Sequence, residues 1–268
     1  MVCRVLGVSP SGYYKWLKAK PGRRVFRNEA LLKAIKRIHS ENRCAYGSPR
    51  IHAVLKQQGI RCSRGLVERL MSENGIFARK RKRFRITTNS NHGYKIADNL
   101  VQRNFSVPSP NKVWASDVTY LWTKEGWLYL GVTLDLYSRK VIGWSMSKRL
   151  DAKLSEDTLR MALTNRGVHA GLIHHSDRGK EFACQRFREN LKTHNIIPSM
   201  SRKADCWDNA VVESFFKTLK AELGNKKFET RQEAENSVFE WVEVFYNRQR
   251  IHSTLGYLSP TVYEARAS

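Results

Sequence analysis

Three stretches rich in β-branched and aromatic residues follow one another between Val113 and Met146 with only turns between them. The runs are Val113 to Trp122, Trp127 to Leu136 and Val141 to Met146, and the turns are Lys124-Glu125-Gly126 and Tyr137-Ser138-Arg139. Strands joined by so few residues pair antiparallel, because a parallel neighbour needs a crossover of roughly a dozen residues or more. The later connections have that length. A helical pattern over about Leu154 to Asn165 precedes a short β run at Leu172-Ile173-His174-His175. A helix over Glu181 to His194, with Phe187 and Leu191 inward, precedes a last strand starting at Ile196-Ile197. The chain from residue 113 onward is therefore predicted as a mixed α/β domain, an antiparallel meander first and crossovers after.

Two helices are predicted to finish the chain. In the first, Val212, Phe215, Phe216, Leu219 and Leu223 make one apolar stripe ended by Gly224, while Glu213, Lys217 and Lys220 share a different face. In the second, Thr230 and Glu233 form a capping box, with Ala234, Val238, Trp241 and Phe245 inward. Trp114, Trp122, Trp127 and Trp144 read as core residues of the sheet.

The front of the chain differs in charge. Residues 1–104 carry 24 Lys and Arg against 5 Asp and Glu, a net +19, and residues 105–268 carry 24 against 19, a net +5. That excess points to a polyanionic partner for the first part. Ser9-Pro10 reads as an N-cap followed by proline at the first helical position. The first helix of that unit would need residues ahead of Met1, which suggests an upstream segment or partner. A second unit is more complete: Leu31, Ile35 and Ile38 at helical spacing, a helix capped by Ser48-Pro49 and ended by Gly59, and a helix capped by Ser63 with Leu66, Val67, Leu70 and Met71, closed by Gly75. Three short helices with tight turns fit a helix-turn-helix or a plain three-helix bundle, and the charge favours the former. Arg64 and Arg69 would then face DNA, as would the run Arg79, Lys80, Arg81, Lys82, Arg83 and Arg85. The domain plan is a partial helix-turn-helix over 1–26, a helix-turn-helix domain with a basic tail over 27–85, a linker over 86–112 and the mixed α/β core with its C-terminal helices over 113–268.

The longest apolar run, Trp127 to Leu134, is too short to span a bilayer, and no leader-like segment opens the chain. The five cysteines show no CxxC spacing, which argues for reduced thiols and against a cysteine-built zinc site.

A phosphodiester-handling chain this basic needs negative charge wherever a divalent cation is to bind, since magnesium prefers carboxylate and phosphate oxygens. Asp117 sits mid-strand, where propensity disfavours aspartate. Asp177 follows the fourth strand, a favoured place for active sites in α/β sheets. Glu213 lies on the polar face of its helix, with 35 residues between it and Asp177. Singly, each also reads as structural: a satisfied buried carboxylate, a turn residue, a surface helix residue. Asp135 reads as structural and paired with Arg139. His174 and His175 read as satisfied strand-end histidines, Arg250 and His252 as supports behind the site, and 202–208, with Arg202, Lys203 and Asp205, as a loop mobile without DNA.

Five strings taken together resemble a known group: Trp-Ala-Ser-Asp117-Val-Thr-Tyr; Leu-Asp135-Leu-Tyr-Ser-Arg139-Lys-Val-Ile-Gly-Trp; His-Ser-Asp177-Arg-Gly; Asp208-Asn209-Ala-Val-Val-Glu213-Ser-Phe-Phe-Lys-Thr-Leu-Lys220; and Tyr-Asn247-Arg-Gln-Arg250-Ile-His252-Ser-Thr-Leu-Gly-Tyr-Leu-Ser-Pro260. Along essentially its whole length the chain resembles DDE transposases and integrases, most closely the second-reading-frame catalytic subunit of bacterial insertion sequence 3 transposases, relatives of the retroviral integrase core.

The resemblance implies a ribonuclease H-like core in which Asp117, Asp177 and Glu213 are catalytic and bind two Mg²⁺, with Mn²⁺ a possible substitute. Water would cut at an element end, and the freed 3′-hydroxyl would attack another phosphodiester, with a circular intermediate before integration. Lys217 and Lys220 would face DNA near the cut. The retroviral relatives' N-terminal zinc site is expected to be absent. The implied partners are terminal inverted repeats and target DNA, further copies of the chain on DNA, and an upstream-frame protein joined by ribosomal frameshifting; the implied setting is the bacterial cytoplasm, at the nucleoid. Alone, the chain is expected to bind ends weakly or without full specificity. A catalytically silent DNA-binding regulator and a ribonuclease H-type nuclease are the competing readings.

Overall fold

The computed structural model describes residues 2–18, 22–79, 93–202, 206–224 and 226–266. They divide into two compact units, Met1–Ala78 and Arg79–Ser268.

The first unit is helical: α1 (Val2–Val5), α2 (Pro10–Leu17), α3 (Arg23–Glu41), α4 (Ser48–Gln57) and α5 (Arg64–Glu73). Ser9 caps α2 by accepting from the Gly12 N–H, and Ser63 caps α5 by accepting from the Leu66 N–H, each at 3.2 Å. The cap of α4 is Gly47 rather than Ser48, which already lies inside the helix. Pro49 still sits in the first turn, where its missing N–H leaves no hydrogen bond unmade. Leu31, Ile35, Ile38, Ile51, Leu55, Val67, Leu70 and Met71 close a small core between α3, α4 and α5.

The second unit is built on a five-stranded sheet of order β3-β2-β1-β4-β5, from β1 (Val113–Thr123), β2 (Gly126–Asp135), β3 (Val141–Ser147), β4 (Ile173–Ser176) and β5 (Ile197–Met200). The first three strands form the antiparallel meander, and β4 and β5 join parallel to β1. One face carries α6 (Ala152–Arg166), α7 (Lys180–Ala183) and α8 (Gln185–Thr193), packed over Trp114, Ile142, Leu159, Ala162, Phe187 and Leu191. The other carries a 3₁₀ turn (Cys206–Asn209) leading into α9 (Ala210–Leu223), then α10 (Arg231–Phe239). There Leu130, Val132, Phe215, Leu219, Trp241 and Phe245 make the larger core.

Several local expectations are revised. The helix expected over Glu181 to His194 breaks at Cys184, whose ψ of 150° is extended. The final helix does not end the chain: α10 loosens into a π-helical turn (Glu240–Tyr246), and α11 (Pro260–Ala265) follows. Asp135 is buried but does not pair with Arg139: it accepts the Asn111 and Tyr137 N–H groups, while the Arg139 guanidinium donates to the Phe105 carbonyl. Trp114 is fully buried, but Trp122 and Trp127 are not core residues, being 57% and 45% exposed. Both sit at the turn end of the β1–β2 hairpin, where they pair with each other next to Thr123 and Gly126. Within the stretch read as a linker, residues 93–112 form no helix or strand yet pack on this unit, with Val101 buried and the Leu100 N–H bonded to Ser199.

Candidate active site

The register of the parallel pair places two of the carboxylates. Ser116 of β1 is the partner of Ser176 of β4, where β4 ends, so Asp117 and Asp177 are the next residues on neighbouring strands. Neighbouring strands run about 4.8 Å apart. Asp177 Oδ1 accepts from the Gly179 N–H at 2.8 Å, a tight turn that leads directly into α7. Gly179 has no side chain to fill the space above it; a Cβ there would lie 2.6 Å from Glu181 Oε1 and 2.9 Å from Asp177 Oδ1. Glu181 thus brings a further carboxylate against Asp177, which the sequence reading passed over. The signal was present: an acid four residues after Asp177, in the first turn of a helix.

The third carboxylate arrives on α9. Asn209, at the start of that helix, donates its amide to the Ser116 carbonyl at 3.3 Å, which ties the N-terminus of α9 to β1 one residue before Asp117. Glu213 follows in the first turn. Burial, then the charge of Asp177, then those of Glu181 and Glu213, push the Asp117 carboxyl well above the usual carboxylate range, against the pull of the Val118 N–H that it accepts. Burial and Asp177 push Glu181 up to about 7.

Two lysines share the face of Glu213. Lys217 Nζ lies 3.0 Å from Glu213 Oε2. Lys220 is half-buried, with Nζ 4.7 Å from the centre of the Tyr120 ring. Burial lowers it to about 8, opposed by the charge of Asp117.

The surrounding histidines are structural, as expected. His174 bonds Ser116 Oγ at 2.8 Å; His175 bonds Ser199 Oγ at 2.9 Å and the Asp208 carbonyl at 3.0 Å. Burial lowers them to about 3 and about 4. Asp208, named above only within a matching string and at the end of the loop 202–208, is given no role of its own by the sequence reading. Its buried carboxylate takes both the backbone N–H and the guanidinium of Arg202, together with Arg103 and Asn99, and the Arg202 hydrogen bonds hold it below the usual carboxylate range. It fastens the segment before α9 to Asn99 and Arg103 in the 93–112 segment. Lys203 and Asp205 of that loop lie outside the described residues. Arg250 stands behind α9 in a buried pair with Glu222.

In the first unit, Arg69 lines an open groove of about 630 Å³ with Arg23, Arg24, Arg27 and Asn28, while Arg64 is exposed at the start of α5. Arg79 donates to the Glu222 carbonyl near the end of α9. Lys80, Arg81, Lys82, Arg83 and Arg85 lie outside the described residues.

The donor set suits a divalent cation: hard carboxylate oxygens crowded so that Asp117 resists ionisation. Among the described residues, no group of three or more His, Cys, Asp or Glu side chains stands ready-made to hold a metal. Glu213 lies against Lys217 instead.

Family models agree with this architecture. An integrase core domain model matches residues 107–206, a second matches 194–260, and a helix-turn-helix-like domain matches 27–84. The chain is 41% identical to the transposase InsF of insertion sequence IS3A from Escherichia coli, covering 98% of this chain and 92% of that one. It is also 41% identical to a 31 kDa protein of insertion element IS600 from Shigella sonnei, over 99% and 98% of the two lengths. Among solved structures, it is similar to a chain of the simian T-cell lymphotropic virus intasome (16% identical, TM-score 0.49, covering 86% of this chain and 74% of that one). It is also similar to the HTLV-2 integrase catalytic core in complex with magnesium (20% identical, TM-score 0.45, covering 59% and 98%). The sheet and the matched domains define an integrase-core enzyme carrying a helix-turn-helix-like front. Its full-length likeness to InsF makes the protein a member of the insertion sequence 3 transposase family. No helix among the described residues is long and apolar enough to cross a membrane.

Proposed function

We propose that this transposase cuts DNA at the ends of its element and joins the freed ends to new DNA at the open edge of the sheet, with Asp117, Asp177 and Glu213 as the catalytic carboxylates. The supporting observation is the crowding of acids around Asp117, in an otherwise strongly basic chain, where β4 stops pairing with β1. The three side chains would hold divalent ions, two Mg²⁺ in our reading with Mn²⁺ an alternative. Such ions neutralise phosphate charge and make water a better nucleophile when bound.

The chain's own residues prepare that step. Asp117 and Asp177 are fixed by the sheet, and Glu213 is carried in from the other face by a helix anchored at Ser116. Glu213 must exchange Lys217 for the cation, which leaves Lys217 for a phosphate of the incoming strand. Lys220, drawn toward Asp117, supplies a fixed positive charge beside the reacting phosphodiester. In the first unit, Arg23, Arg24, Arg27, Arg64 and Arg69 grip the duplex through its phosphates. The basic run Arg79 to Arg85 adds to that grip. Terminal repeats, target DNA, further copies of this chain and an upstream-frame protein are the partners we assign, at the bacterial nucleoid.

The test is a strand-transfer reaction on element-end DNA with Mg²⁺, comparing the wild type with Asp117→Asn, Asp177→Asn and Glu213→Gln. Each variant should lose cleavage and joining by at least about a thousandfold while still shifting DNA in a gel. Full strand transfer by any one of them would remove that residue from the mechanism, and a wild type that binds ends without cutting would make the chain a regulator.

A further inference from the structure

Tyr120, Trp122 and Trp127 form an aromatic ladder that the core does not use. Trp122 and Trp127 are cross-strand partners, with ring centres 4.7 Å apart and planes at 73°, and Trp127 meets Tyr120 edge-on at 4.9 Å. Large apolar rings left in water are the unusual observation in a folded chain, and two tryptophans side by side make more than scattered exposure.

The ladder is also held still. Gly126 closes the hairpin at a φ of +106°, and Thr123 Oγ1 donates to the Gly126 carbonyl at 2.7 Å. Arg231, at the start of α10, donates to the Trp127 carbonyl through Nε, and its backbone N–H donates to the Glu125 carboxylate. Lys124 pairs with Glu229 at 2.6 Å. Glu229 is thereby paired with a cation, and the Glu125 carboxylate is held by a backbone N–H.

At its inner end the ladder reaches the candidate active site. β4 pairs with β1 only as far as Ser116 and the next bridge on that edge is Thr123 to Phe228, so the stretch between them has no strand neighbour there among the described residues, and Lys220 from α9 lies over the Tyr120 ring while feeling the charge of Asp117. The surface therefore runs from carboxylates, through a cation, to rigid exposed rings. A cation beside stacked aromatics is the chemistry that holds a nucleic-acid strand whose bases are unpaired, with phosphate on the lysine and base faces on the rings.

We propose that the Tyr120–Trp127–Trp122 ladder is a stacking platform for unpaired nucleotides of the DNA strand that leaves the active site, so that the enzyme favours frayed or single-stranded DNA next to the cut. This deepens the reading of the carboxylate site given above and rests on it for the identity of the strand.

The experiment compares the full chain with Trp122→Ala, Trp127→Ala and the double variant, without divalent metal. Two probes are titrated: a short oligothymidylate and a blunt duplex of the same length. The ratio of the two affinities is the readout, because the basic front of the chain contributes to both. Each tryptophan removed should weaken oligothymidylate binding by about tenfold, with duplex binding unchanged, and Trp→Phe at either position should restore most of the loss. An unchanged ratio in the double variant overturns the proposal, as does a change of oligomeric state without a change in the ratio, which would make the patch a protein interface. Cleavage of element-end DNA in Mg²⁺ is run in parallel. An active Asp117→Asn enzyme would fail the catalytic reading, whereas an unchanged affinity ratio fails only the platform.

Discussion

Arg250 Nη2 stands 2.8 Å from Glu222 Oε1, and both side chains are almost fully buried near the end of α9, the helix whose first turn presents Glu213. The Trp241 indole N–H donates to the same carboxylate at 3.2 Å. A buried ion pair gives little net stability, but removing one member strands the other charge. We expect Arg250→Met to destabilise the catalytic unit by about 3–5 kcal/mol in a denaturant titration. The double change Arg250→Met with Glu222→Leu should recover most of that loss. A single variant as stable as the wild type would show that water already reaches the pair.

The buried histidines predict how stability varies with acid. His174 titrates near 3 in the folded chain against an ordinary value of 6.5, so protons bind the unfolded chain better. Its contribution is complete above pH 6.5 and is lost as the pH falls from there toward 3, by about 1.4 kcal/mol per pH unit. The stability difference between wild type and His174→Gln should therefore shrink over that window. A difference that stays constant from pH 7 to pH 4 would mean that His174 is not held neutral.

Glu181 works in the opposite sense. Its folded value of about 7 lies above the ordinary 4.5, so the folded chain prefers the protonated acid. That preference is complete below pH 4.5 and is lost as the pH rises through 7. Without metal, Glu181→Gln should raise the melting temperature above pH 7 and leave it unchanged near pH 4. Adding Mg²⁺ should stabilise the wild type at pH 8 and stabilise Asp117→Asn much less, as read by a thermal melt. Equal stabilisation of the two would place the cation elsewhere.

Gly143 and Gly131 let α6 lie directly on the sheet. A Cβ on Gly143 would collide with the Thr158 carbonyl oxygen and the Ala162 nitrogen, both backbone atoms of that helix. Overpacking of this kind costs roughly 1–3 kcal/mol. Gly143→Ala should lower the melting temperature by several degrees while leaving the isolated DNA affinity of the basic front intact. A variant with unchanged melting would mean that the helix shifts without loss.

Much of the sheet was legible in the chain because its signals are local. Strand period, the two short turns and the helical stripe on Val212, Phe215, Leu219 and Leu223 each involve residues within a few positions of one another. The same holds for Ser9, Ser63 and Thr230, whose hydroxyls each bond an N–H three residues on. The misreadings share a cause as well. Trp122 and Trp127 have strand propensity and large apolar rings, and nothing in the local pattern says that they stay exposed at the turn end of the hairpin.

By itself, then, the sequence determined the elements, the division of charge between a basic front and a balanced core, and the residue types able to handle a phosphodiester. The tertiary structure alone decided which carboxylates meet. Asp117 and Asp177 lie together because Ser116 and Ser176 are in register, Glu181 joins them because Gly179 leaves room, and Asp208 is buried because Arg202, Arg103 and Asn99 converge on it. These contacts join residues far apart in the chain, and their free energy exists only once the intervening loops have closed.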